Sequence, residues 1–133
     1  MCIRDRNKGD IQKAIQDCDD AIRHDPLLAM AHAHRGSAYF RQGDWRKALA
    51  DLDEAIRLDP KLAFAYADRG LLYLDKGDLE RAIADCTRAI ELDPKLGYAY
   101  WNRGLAYARK GNVERAQADQ KKALELDPTL AQP

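Results

Sequence analysis

Apolar residues along this chain keep returning to one side of a helix. Leu79, Ala82, Ile83, Cys86, Ala89 and Ile90 stand at i, i+3, i+4, i+7, i+10 and i+11, one stripe of an amphipathic helix. Trp45, Ala48, Leu49, Leu52, Ala55 and Ile56 form the same stripe earlier in the chain. A partner helix shows Tyr66, Gly70 and Tyr73 on one face. The stripes belong to a repeat of 34 residues, marked by Pro26, Pro60, Pro94 and Pro128 and by Gly9, Gly43, Gly77 and Gly111. Gly36, Gly70 and Gly104 keep the same period. So do Ala14, Ala48, Ala82 and Ala116, then Ala21, Ala55, Ala89 and Ala123, and the aromatics Tyr39, Tyr73 and Tyr107. Self-similarity of this length is the mark of stacked helical hairpins.

The punctuation predicts how each hairpin is made. At Gly43-Asp44, Gly77-Asp78 and Gly111-Asn112, glycine supplies the left-handed residue that ends one helix, and Asp or Asn caps the next. Asp-Pro then closes the second helix, because the residue before proline resists the α conformation. A glycine inside a helix costs about 1 kcal/mol relative to alanine. Gly36, Gly70 and Gly104 therefore imply close approach, and are expected to pack against Ala48, Ala82 and Ala116. Arg35, Arg69 and Arg103 repeat alongside Asp17, Asp51, Asp85 and Asp119. These series predict a ladder of Arg–Asp pairs between helices that fixes register between repeats, with the matching of each Asp to its Arg left open.

Composition narrows the function. Lys plus Arg and Asp plus Glu both number 22, so the formal net charge is zero. Nucleic-acid binding through phosphates calls for a basic surplus, and membrane-surface binding is disfavoured on the same ground. No apolar run approaches the roughly 18–20 residues of a membrane span, and no leader is visible behind Met1; the compartment stays open, with the cytoplasm the first expectation. Cys18 and Cys86 share a repeat position with Leu52 and Gln120 and read as small buried hydrophobes. Helices two repeats apart, at about 8–10 Å per packed helix, would hold the two far beyond disulfide reach. His32 and His34 project to different sides of a helix and cannot share a metal, and His32 stands where other repeats have tyrosine. No metal-ligand spacing, phosphate loop or nucleophile motif occurs, so the chain reads as a non-enzyme with no cofactor and no metal.

The residues resemble the tetratricopeptide repeat family. The likeness rests on Gly36, Tyr39, Ala48, Ala55 and Pro60, and on their equivalents Gly70, Tyr73, Ala82, Ala89, Pro94 and Gly104, Tyr107, Ala116, Ala123, Pro128. His32, Tyr66 and Tyr100 replace the family's tryptophan, and Arg35, Arg69 and Arg103 its leucine. The resemblance implies an all-α, right-handed α-solenoid of antiparallel helix pairs, about seven helices. Its parts would be a non-matching junction over 1–8, the second half of a partial repeat over 9–28 with its helix from Asp10 to His24, repeats at 29–62, 63–96 and 97–130, and a tail at 131–133. The break in period before Gly9 suggests a fragment of a longer array.

In that family the first helix of each repeat lines a concave, ligand-binding face. Carried over by position, the lining is Met30, Ala33, Ser37, Phe40 and Arg41, then Phe64, Ala67, Leu71, Leu74 and Asp75, then Tyr98, Trp101, Leu105, Ala108 and Arg109. Phe64, Tyr98 and Trp101 could serve as aromatic anchors or pack between helices, and Arg41 and Arg109 could meet a carboxylate on the ligand. Lysines of the chaperone-tail clamp are missing around Ala33, Ser37, Asp68 and Asn102, so that specificity does not transfer. The implied function is a scaffold that binds another protein or a peptide, with no nucleic acid and no membrane. Two alternatives stand beside it: the interaction module of a larger enzyme or regulator, and an array that associates end to end.

Overall fold

The computed structural model describes the backbone of residues 3–131, and side chains from Gly9 onward. Seven α-helices and a final 3-10 turn account for the elements among the described residues. They divide into two compact units that meet at Lys61 and Leu62. The first holds α1 (Ile3–His24), α2 (Ala29–Gln42) and α3 (Trp45–Leu58). The second holds α4 (Ala63–Lys76), α5 (Leu79–Leu92), α6 (Gly97–Lys110), α7 (Val113–Leu126) and the turn Pro128–Ala131. The all-α class agrees with the sequence expectation. The helix expected to start at Asp10 instead starts at Ile3 and runs through Gly9, so the stretch read as a junction is helical backbone from residue 3.

Each hairpin turn does two jobs with two residues. Gly43, Gly77 and Gly111 sit at φ +86°, +85° and +88°, where only glycine avoids strain. The Gly43 N–H donates to the Phe40 carbonyl, and the Asp44 N–H reaches back to that of Tyr39 at 3.0 Å, the paired bonds of a Schellman ending. Asp44 then accepts from the Lys47 N–H at 3.2 Å and so opens α3; Asp78 and Asn112 open α5 and α7 in the same way. At the far end of each hairpin, Asp25, Asp59, Asp93 and Asp127 accept the N–H two residues on, holding the turn around the proline. Such short connections leave the joined helices antiparallel.

The core is built mainly of alanine. Ala33, Ala48 and Ala55 are fully buried in the first unit, and Ala65, Ala67, Ala82, Ala89, Ala99, Ala106 and Ala123 in the second. Small side chains let helix backbones approach closely, and the mid-helix glycines complete that approach. A Cβ added at Gly36 would lie 3.1 Å from the Ala48 carbonyl oxygen and 3.1 Å from Leu52 Cγ. At Gly70 it would lie 2.7 Å from Cys86 Sγ and 3.2 Å from the Ala82 carbonyl. The predicted glycine–alanine contacts are therefore present. Trp45 departs from its predicted stripe: it is 37% exposed, with the Arg46 guanidinium 5.4 Å over its ring.

Candidate functional site

In the first unit, Arg35 lies at the centre of a polar cluster. Its Nε and Nη2 each donate to Asp51 at 2.7 Å, while Nη1 donates to Asp19 of α1 at 2.8 Å. These bonds hold the guanidinium strongly in its charged form. His32, buried as its place in the repeat suggested, shares a contact with the Pro26 carbonyl through Nε2 at 3.0 Å. In the second unit Arg69 grips Asp85 in the same bidentate way at 2.8 Å. Arg103 grips Asp119, and its Nη1 donates to Thr87 Oγ1 at 3.3 Å. The expected Arg–Asp pairs between adjacent helices are present, but each of these pairs joins the two helices of one repeat rather than two repeats; the third donor of Arg35 and of Arg103 reaches the preceding repeat's helix. Two parallel bonds to a buried carboxylate fix how a hairpin's helices are rotated against each other.

The residues expected to line a binding face separate into four groups. Ala33 and Ala67 are fully buried and Leu74 is 2% exposed, so none of them offers surface to a partner; these corrections follow from the tight packing of the helices. Tyr98 packs against the buried Ala67, Ala89 and Ala99, and that burial, with Asp68 nearby, pushes its phenol well above the ordinary range. Leu71 and Leu105 are half-buried on the core formed by Leu74, Ala82 and Ala106. Arg109, expected to meet a ligand, donates from Nη1 to the Leu74 carbonyl at 2.9 Å and ties α6 to the end of α4. Ser37 likewise donates to its own helix, at the Ala33 carbonyl, 3.2 Å away. Met30 is exposed at 46%, Arg41 is exposed, and Phe40, Phe64 and Trp101 keep part of their surface.

One group on the second unit is conspicuous. Asn102 is 5% exposed, and its Nδ2 has no hydrogen-bond partner among the described residues. Its repeat equivalents are His34 and Asp68, so the period itself carried no instruction about this side chain. An amide donor buried without an acceptor costs about 1–3 kcal/mol, and a ligand acceptor would recover it.

The thiols follow their burial. Cys86 is fully buried and its pKa is pushed up to about 12, chiefly by loss of solvent. Cys18 is half-buried and also shifted up by burial; both are free thiols, while Cys2 lies outside the described residues. Among the described residues no cluster of three or more His, Cys, Asp or Glu side chains could hold a metal, and no helix is long and apolar enough to cross a membrane. An open depression of about 600 Å³ beside the α6–α7 turn is lined by Tyr107, Lys110, Asn112, Val113 and Arg115.

The tetratricopeptide repeat family model matches residues 4–63, 34–97 and 67–131. The chain belongs to the tetratricopeptide repeat family. Among solved structures it is similar to the MamA protein, at 33% identity and TM-score 0.75, with 91% of this chain covered and 66% of that one. It is similar to the second such domain of Spaghetti (RPAP3), solved with the HSP90 peptide SRMEEVD bound, at 29% identity and TM-score 0.73, covering 87% and 94% of the two chains. The Arabidopsis OM64 domain matches at 32% identity and TM-score 0.73, covering 76% and 84%. No curated protein matches significantly. This repeat chain spans just under two thirds of the MamA chain.

Proposed function

We propose that this tetratricopeptide repeat chain is a protein-interaction module that takes a peptide or partner segment on the first helix of its repeats. In the second unit the receiving face is carried by α4 and α6, with Phe64, Leu71, Trp101 and Leu105 as its apolar surface. Met30, Phe40 and Arg41 carry the corresponding face of α2 in the first unit. The observation that carries the reading is Asn102 Nδ2, a buried donor without an acceptor among the described residues, beside half-exposed Trp101. A polypeptide carbonyl supplies such an acceptor along its whole length, and aromatic neighbours add contact area at small entropic cost. The peptide complex of the Spaghetti (RPAP3) domain supports a peptide ligand for this fold.

Affinity capture from a lysate of the source organism tests this reading, with the wild type beside Trp101→Ala and Asn102→Leu. The expected result is a protein retained by the wild type and lost from both variants while their circular dichroism is unchanged. Asn102→Leu should also melt higher, because the orphan donor is gone; the gain should be roughly 1–2 kcal/mol. Equal capture by all three proteins would place the working surface elsewhere.

A further inference from the structure

The charge on the α4/α6 face points to the kind of segment it takes. Along α4, Phe64, Asp68, Leu71 and Asp75 follow one another at i, i+4, i+7 and i+11, a single stripe. Along α6, Trp101, Leu105 and Arg109 recur at intervals of four. The stripes adjoin, since Leu71 and Leu105 pack on the same buried core and Asp68 lies close enough to act on the Tyr98 hydroxyl. Among the described residues of these two stripes, the charged side chains are Asp68 and Asp75 on α4 and Arg109 on α6. The Arg109 cation keeps its charge and is held in place, donating from Nη1 to the Leu74 carbonyl in the last turn of α4, so one carboxylate remains in excess. Its neighbour Lys110 is paired with Glu80. Asp75 is exposed in the same last turn, where the carbonyl end of the helix adds to the negative potential. The fold thus already seats one guanidinium at this end of the face.

We infer that the α4/α6 face takes a peptide segment carrying lysine or arginine among apolar residues. The apolar residues lie against Phe64, Leu71, Trp101 and Leu105, and the cation lies toward Asp75 at the end of α4. An acidic run would instead set carboxylate against Asp75 and Asp68. This inference rests on the binding face proposed above and adds the chemistry of its occupant.

The test is selection from a random-peptide display library on the full chain at low salt. Wild-type protein should recover apolar sequences in which Lys and Arg exceed Asp and Glu by roughly two- to fivefold, the scale of one exposed ion pair. Asp75→Asn should abolish that charge preference and keep the apolar one; Trp101→Ala, with unchanged circular dichroism, should lose the apolar enrichment. Apolar enrichment that depends on Trp101 but comes with no cationic preference, or an acidic one, overturns the inference and leaves the face standing. A cationic preference that survives Asp75→Asn overturns it too. Absence of apolar enrichment, or enrichment indifferent to Trp101→Ala, overturns the face and the inference together.

Discussion

Arg35 in the first unit and Arg103 in the second occupy the same place in the repeat, yet they are held differently. Both make two parallel bonds to a buried aspartate, Asp51 or Asp119. The third contact is a carboxylate, Asp19, for Arg35 and a hydroxyl, Thr87, for Arg103. The seat facing the mid-helix glycine varies as well: Leu52 meets Gly36, Cys86 meets Gly70, and Gln120 meets Gly104. The repeat thus fixes backbone approach and the main ion pair, and leaves the neighbouring side chains free to differ.

Replacing the central carboxylate should separate the two units most clearly. Asp119→Ala strands the Arg103 charge in a largely buried place and should cost about 3 kcal/mol, read as a shift of the urea midpoint. Asp51→Ala should cost less by roughly 1 kcal/mol, because Arg35 keeps Asp19. Equal losses would mean that the second carboxylate contributes nothing.

Adding a methyl at the close approach comes next. Gly36→Ala drives a Cβ into a backbone carbonyl and Leu52, and should lower stability by about 1–2 kcal/mol despite the better helix propensity of alanine. Gly104→Ala should cost slightly less: its Cβ would still meet the Ala116 carbonyl and Asp119 Cβ at 3.2 Å, but in place of Leu52 at 3.1 Å it meets the flexible Gln120 at 3.4 Å. If Gly104→Ala proved the costlier change in thermal melts, the packing account of these glycines would fail.

Cys86 supplies a pH signature that the leucine and glutamine seats lack. Its thiol stays protonated in the folded chain up to about 12, whereas the ordinary value is 9.0, so above pH 9 the unfolded chain holds fewer protons than the folded one. The stability due to this group is complete below pH 9 and is lost as pH rises through the window up to about 12. Around pH 10 the loss should reach roughly 1 kcal/mol, one pH unit of linkage. Cys86→Ala should flatten that slope; a slope unchanged in the variant would assign it to other groups.

Thr87→Asp gives Arg103 the second carboxylate that Arg35 already has, and should stabilise the chain by about 0.5 kcal/mol at low salt. A gain that survives 1 M salt would not be electrostatic in origin.

Much of the fold was legible because it follows from local chemistry. Glycine at positive φ, Asp and Asn caps, Asp-Pro stops and apolar stripes each act within a few residues, and their recurrence at 34 residues placed the helix boundaries from α2 onward. The start of the first helix was not legible, since loss of the repeat pattern before Gly9 does not stop the helix, which runs from Ile3 rather than Asp10. The face of α4 and α6 was legible only as a set of positions. Helical spacing puts Leu74, Tyr98 and Arg109 near it, but cannot say which atoms their neighbours leave uncovered.

By itself, then, the sequence determined the family, the helices, their caps and the glycine–alanine approach, all governed by short-range geometry and by period. Only the tertiary structure decided that Asp51, Asp85 and Asp119 pair within their own repeats, that Leu74 and Ala33 are buried, that Arg109 grips the end of α4, and that Asn102 is left without an acceptor. Those outcomes depend on how far one helix stands from the next and how it is rotated. Distances and rotations between helices are set by the packing of many side chains at once, and no single residue encodes them.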